Sequence, residues 1–333
     1  MAEKILRYIK KFLPLIGIII LIIIIINLDL EKIKIAFFSI NPIFIVISMS
    51  LLLPIILIKI YVWDIILKEQ KIKLNFYQLL KIYMIGYFYS SITPGFLGHL
   101  MRIPYIKEKT GEPYGKLFVN IFIDTTVRTI AEYFIILIGA FIIFGSYPEI
   151  FTILIVFFTI IGLILFYFIK KERGEKFFYR LVKYFIPKKL KGSLYRFIDT
   201  FYNDFPKLNR LIIPFVLGLV VWILIFSQEY IVVYAMSVNI PYIYFLVLFP
   251  IANIAGYLPI TIAGLGMREF TSIMIFSTFF SVAKEEILVF TLVGFLITDI
   301  FPGFLGFIFC LTEAGDGNRK KIIRKNNYFF NKQ

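Results

Sequence analysis

The sequence predicts an all-α polytopic membrane protein with about six full transmembrane helices, two re-entrant helical hairpins and an inverted-topology repeat. Three observations predict it. Hydrophobic residues make up 60% of the 333-residue chain, above the near-half typical of soluble domains. Apolar runs long enough for a ~30 Å hydrocarbon core recur along the whole length. Lys and Arg, which give a net charge of +15, gather beside those runs, where they report sidedness.

Taken in order, Lys4, Arg7, Lys10 and Lys11 precede the apolar run Phe12–Ile26. No small-residue cleavage site follows, so this reads as an uncleaved first span with its N-terminus inside. Further apolar segments lie at about 43–63, 76–92, 117–144, 150–169, 212–236, 243–258, 270–282 and 286–310. The loop Lys170–Arg210 holds twelve Lys/Arg against four Asp/Glu, and Arg319, Lys320, Lys321, Arg324, Lys325 and Lys332 mark the tail. Both belong on the cytoplasmic side of the plasma membrane, with both termini. The linkers 145–149 and 237–242 lack Lys and Arg and fit the outside.

A full crossing by 76–92 would put the basic loop outside. The conflict disappears if 76 to about 106 enters and returns on the cytoplasmic side, and if 243–282 does the same from outside. Such backbone is tolerated only where protein or water covers it, so the hairpins should line a cavity. The organisation is then one membrane domain over 1–312, with repeats at about 43–144 and 211–310, the cytoplasmic loop 170–210, and a basic tail 313–333.

The hairpins resemble each other. At an offset of 168 residues, Tyr89, Ile92, Thr93, Leu97 and Gly98 meet Tyr257, Ile260, Thr261, Leu265 and Gly266; a two-residue gap aligns Met101-Arg102 with Met267-Arg268. Inverted repeats whose broken helices meet near the midplane are a transporter architecture. The plainer alternative is chance likeness of Gly/Pro turns between apolar stretches.

Thr93, Pro94, Gly95 and Gly98 interrupt the first hairpin ahead of Arg102. Free N–H groups at a helix start attract anions, and a guanidinium fork suits phosphate. Thr261, Gly264, Gly266 and Arg268, with Glu269 adjacent, offer the same set in the second. These read as two half-sites for a phosphorylated headgroup, against two structural turns whose arginines sit at an interface. Asp124, Arg128 and Glu132 share one helical face. Charges at that depth must look inward, as an ion-pair ladder or a headgroup or proton path. Gln228-Glu229 and Asp299 fit the same cavity, and Pro302-Gly303 should loosen the helix after Asp299. Basic and aromatic residues mixed through 170–210 suggest a helix on the cytoplasmic surface.

Other chemistries find little support. His99 with Ser90 or Ser91 lacks a third orienting group and a nucleophile elbow. One cysteine, Cys310, and one histidine leave no material for a disulfide framework or a histidine-built metal centre. No P-loop occurs, so neither a cofactor nor nucleotide drive is expected. Anionic lipid explains the positive charge better than nucleic acid does. Asp29 and Glu31 offer the metal-binding acidic pair of a membrane glycosyltransferase, but two acids flanked by Lys32 and Lys34 are more often a solvated linker.

Thr93–Arg102 followed by Tyr105-Ile106, and Pro259–Glu269 with its Gly-Leu-Gly-Met-Arg-Glu run, resemble the two signature stretches of the lysylphosphatidylglycerol synthase transmembrane-region family, also catalogued as UPF0104. The resemblance spans nearly the whole chain; His99 departs from it, standing where relatives commonly carry glycine or an acidic residue. It implies a lipid translocase, moving an aminoacylated phospholipid or a polyprenyl- or dolichol-phosphate-linked sugar. No aminoacyl-transferase domain is expected beside it, so lysyl transfer is not implied. The expected partners are lipids with anionic or phosphate headgroups, with a second copy of the chain or enzymes of lipid and glycan assembly as further possibilities. A small-solute secondary transporter, a glycosyltransferase and a scaffold subunit are the rivals.

Overall fold

A computed structural model describes residues 16–94, 97–143, 145, 148–185, 187–258 and 261–313. The basic N-terminal residues, Gly95, Pro259, Ile260 and the tail beyond Glu313 lie outside the described residues. Within them the chain is helical, and its one extended pairing is a single bridge between Pro94 and Ile262.

Helix α1 (Ile16–Ile26) is apolar throughout. The acidic stretch after it is solvated, as its charges suggested, but helical rather than a linker: Asp29 accepts from the N–H groups of Glu31 and Lys32 and starts α2 (Leu30–Phe38). An aspartate is a strong N-cap because its oxygen satisfies orphan donors of the first turn. Asn41 caps α3 (Pro42–Ser50), with Pro42 at a position where its missing N–H costs nothing. A bend at Leu51 leads into α4 (Leu52–Glu69).

The first hairpin opens with a capping box between Asn75 and Gln78 that starts α5 (Phe76–Ile92). A short 3₁₀ turn (Leu97–Met101) follows, then α6 (Arg102–Thr110), which packs back on α5 and ends at Gly111 in the left-handed region. Helix α7 (Tyr114–Ile143) is the long span after it, and α8 (Pro148–Ile169) packs along α7. Two amphipathic helices, α9 (Lys171–Phe185) and α10 (Lys188–Asn203), occupy the basic loop where one surface helix was expected. They are joined by Tyr179, whose hydroxyl donates to Asp199. That bond, with some loss of hydration, pushes the Tyr179 hydroxyl up to about 12. Phe197 and Phe201 of α10 seat edge-on against Phe118 and Phe122 of α7.

Helix α11 (Ile212–Ala235) packs on α3, α4 and α7. The second hairpin is α12 (Tyr242–Gly256) and α13 (Met267–Phe280), in close contact along their length. The last helix, α14 (Lys284–Glu313), carries a π-helical turn at Leu296–Ile300, just before the Pro302-Gly303 pair expected to loosen it. Among the described residues four helices are long and apolar enough to cross a membrane: Pro42–Glu69, Tyr114–Ile142, Leu208–Ala235 and Lys284–Glu313.

Polar contacts sort the connections onto two ends of this bundle. At one end Gln70 donates to the carbonyl of Asp204 (3.0 Å), Arg210 approaches Glu69 (3.9 Å), and Glu313 holds Lys81 of α5 (2.5 Å) and Lys109 of α6 (2.9 Å). At the other, Asn41 N–H meets the Ala235 carbonyl (3.4 Å) and Asp29 N–H meets Glu285 (3.4 Å). The basic α9–α10 pair therefore shares an end with both legs of the first hairpin. The second tip is buried at Thr261, Ala263, Gly264 and Gly266, the first is exposed at Ile92 and Leu97, and the Pro94–Ile262 bridge ties the two tips together.

Candidate functional site

The site is built from the two tips. Thr93 donates through Oγ1 to the Tyr89 carbonyl (2.8 Å) and accepts from the N–H of Gly98 (2.8 Å), closing the first turn. Gly98 lies so close to the Tyr89–Ser90 backbone that any Cβ there would overlap it. Thr261 repeats only the donating half of this arrangement, its hydroxyl shared between the carbonyls of Gly256 (3.0 Å) and Leu258 (3.2 Å). The second tip turns through left-handed Ala263, Gly264 and Gly266, and the N–H of Gly266 is capped by Glu269 (2.5 Å). A Cβ on Gly266 would run into the backbone of Gly17, so α1 closes over this tip.

Each tip delivers one arginine to a carboxylate of the long helix that follows it. Arg102 bonds Asp124 of α7 (2.9 Å) and donates through Nε to the His99 carbonyl (3.2 Å). Its guanidinium lies 4.9 Å from the ring centre of Tyr83 and 5.0 Å from that of Trp63, a geometry that offsets lost hydration. Arg268 contacts its neighbour Glu269 (3.3 Å) and Asp299 in the π turn of α14 (3.4 Å), and lies 4.9 Å from the ring centre of Phe295.

Between the tips, α4, α7 and α11, lies a cavity of ≈ 230 Å³. Of the residues singled out from sequence, Arg128, Arg268 and Asp299 line it, and so do Gln228, Glu229 and His99. Arg102 and Asp124 do not; both are 0% exposed and sit behind the wall. Arg128 shares Asp124 with Arg102 (3.1 Å) and reaches the Tyr83 hydroxyl (2.9 Å). The one-face ladder stops there. Glu132 accepts instead from Asn253 (2.6 Å) and Tyr257 (2.9 Å), one helical turn apart on and beyond α12, so it fastens the second hairpin to α7. Thr93, Pro94, Gly98, Thr261, Gly264 and Gly266 shape the tips.

Sequence reasoning missed Lys59. It lines the cavity, is 7% exposed, and donates to the Tyr87 hydroxyl (2.5 Å). It lies ten residues before Glu69, about 15 Å at 1.5 Å per residue, too deep to reach the helix end. A lone lysine inside the apolar run 43–63 was the signal that would have found it. The cavity lining is uneven in charge: Lys59 and Arg128 stand on the α4–α7 side, and Arg268 with Glu229 and Asp299 on the α11–α14 side; behind the lining lie Arg102, Asp124 and Glu132 on the first side and Glu269 on the second. Ser91 donates to the Phe88 carbonyl (2.8 Å) rather than to His99, and Asp29 is engaged as the cap of α2.

The family model described as "Lysylphosphatidylglycerol synthase TM region" matches residues 14–306. A UPF0104 membrane protein of Methanocaldococcus jannaschii is 24% identical over 317 residues, covering 87% of this chain and 91% of the relative.

Proposed function

The chain belongs to the lysylphosphatidylglycerol synthase transmembrane-region family, a multi-pass membrane family, and on that premise we propose that it carries a phosphate-bearing lipid across the bilayer. The observation that carries this reading is the cavity between two bridged hairpin tips, where Lys59, Arg128 and Arg268 converge. A charged headgroup crosses hydrocarbon slowly because it must shed its hydration. Polar walls substitute for that water, and cations at the headgroup's own depth attract its phosphate. The acyl chains stay in lipid.

The reading places six spans across the membrane, with α5–α6 and α12–α13 re-entering from opposite faces. Reciprocal packing supports an inverted repeat: Gly139 of α7 abuts Val247 of α12, and Gly306 of α14 abuts Met84 of α5. In both cases a glycine of a repeat's last span receives the other repeat's hairpin. The shared end of the first hairpin and the basic helices supports a cytoplasmic placement of that face. Arg128 and Lys59 receive the phosphate in this scheme, and Arg268 meets it from the second hairpin. Arg102 acts one layer back, by holding Asp124 and the tip in place.

Reconstitution tests it. Vesicles of phosphatidylcholine with a fluorescent phosphate-bearing lipid should equilibrate their leaflets faster with the full chain than without it, and Lys59→Met or Arg268→Ala should remove most of the gain. Equal rates in empty and loaded vesicles, for every phosphate lipid tried, would sink the proposal.

A further inference from the structure

Glu229 is the one buried carboxylate of the cavity wall, among the described residues, that no cation or pair of donors satisfies. It sits on α11 at 3% exposure. Its Oε1 accepts from Thr298 (3.2 Å), while its Oε2 has no hydrogen-bond partner. The carboxyl lies so close to Gly294 of α14 that a side chain there would displace it. Thr298 also donates to Asp299 (2.9 Å). Arg268, the nearby cation, is already engaged by Glu269 and Asp299. The π turn at Leu296–Ile300 passes beside this group; such turns interrupt the helical hydrogen-bond ladder and recur at functional sites.

Resting on the transport reading above, we propose that Glu229, with Thr298 and Asp299 beside it, is the site where a small monovalent cation, a proton or a sodium ion, enters the transport cycle. A carboxylate left without a partner in a low-dielectric interior is costly, and a bound cation removes that cost. The charge excess on the α11–α14 side favours a cation there in the same cavity whose opposite wall favours an anion. Arg268 and Glu269 from α13 and Asp299 from α14 flank Glu229 most closely, and Lys59 from α4, Tyr87 from α5, His99 of the first tip, Arg128 from α7 and Tyr257 beyond α12 line the same cavity. Phosphate arriving at Lys59 and Arg128 places negative charge across the cavity from Glu229, which raises the gain from cation binding. The two events thereby become linked, and a cation gradient can drive the lipid.

The full chain in phosphatidylcholine vesicles with fluorescent phosphatidylglycerol provides the test. With one cation per lipid, the final ratio of label between leaflets should move about tenfold for each pH unit of gradient, or for each tenfold sodium gradient, depending on the ion. Glu229→Gln should hold that ratio at its gradient-free value. The ratio is an equilibrium readout, so a slower variant does not confuse it. Lipid that equilibrates in the parent but ignores both gradients overturns the proposal, as does a Glu229→Gln variant that still responds. Infrared difference spectra of the purified protein give a second reading that needs no lipid movement. A carboxyl band that shifts with pH identifies the proton, and one that shifts with sodium identifies that ion; it must vanish in Glu229→Gln, and shift position in Glu229→Asp. If the parent moves no lipid, the transport reading fails and the band alone decides the cation site; a missing band then overturns it.

Discussion

Arg102 and Asp124 form an ion pair at 2.9 Å in which neither side chain is exposed. The pair joins the first hairpin tip to α7, and Asp124 holds Arg128 as well (3.1 Å). Leaving a buried charge without compensation costs roughly 3–5 kcal/mol; Arg102→Met leaves Asp124 paired with Arg128, whereas Asp124→Leu strands both arginines. We predict that Asp124→Leu unfolds at markedly lower temperature in detergent than Arg102→Met, and that Arg102→Met added to Asp124→Leu restores part of the loss. Thermal unfolding of the two single variants and the double one decides this. Additive losses would show that the pair is not a unit.

Gly98 tests the tip geometry. A methyl group there overlaps the Tyr89–Ser90 backbone, so Gly98→Ala should destabilise by about 1–3 kcal/mol and slow lipid movement, because the tip carries Arg102. A methyl group added at Gly192 in α10 would meet nothing within 4 Å. Replacing Gly192 with alanine should stabilise by up to about 1 kcal/mol, because glycine is the poorer helix former. Denaturation midpoints of the two variants should move in opposite directions.

Lys59 separates transport from stability. Its ammonium is buried and bonded to Tyr87 at 2.5 Å, and burying an ammonium gains little for the fold. Lys59→Met keeps the stem and removes the charge. It should lower the rate of lipid movement about tenfold, equivalent to 1.4 kcal/mol, without lowering the unfolding temperature. Equal losses in both measurements would make Lys59 a structural residue only.

Sidedness has its own check. Lys176 and Asn239 are both exposed, on α9 and between α11 and α12. In a Cys310→Ser background, Lys176→Cys and Asn239→Cys should react with a membrane-impermeant maleimide from opposite faces of intact cells, the second from outside. Labelling of both from the same face would refute six spans with opposed hairpins.

Much of this architecture was legible in the chain. The four helices long and apolar enough to cross a membrane announced themselves as apolar runs, and Pro94 and Gly98 marked the break between α5 and α6. The paired motif arginines were visible, as was the weak point before Pro302. Three features were hidden for physical reasons. Lys59 depends on Tyr87, a partner in another helix, so its run looks uniformly lipid-facing. Glu132 has helical spacing with Arg128, yet its donors Asn253 and Tyr257 lie more than a hundred residues away, and only tertiary packing brings them together. Arg102 and Arg268 occupy matching motif positions, but one is enclosed behind rings and the other faces the cavity, a difference set by Trp63 and Tyr83 rather than by the motif.

A line of buried amides runs from the site to the basic helices. Trp63, one of the rings beside Arg102, donates to Asn120 (2.8 Å), Asn120 to Gln70 (2.8 Å), and Gln70 to the carbonyl of Asp204 (3.0 Å). Four residues on three segments thus form a strut with one foot under the arginine and the other at the end of α10. A displacement of the end of α10 therefore either carries Trp63 and the seat of Arg102 with it or breaks one of these three hydrogen bonds.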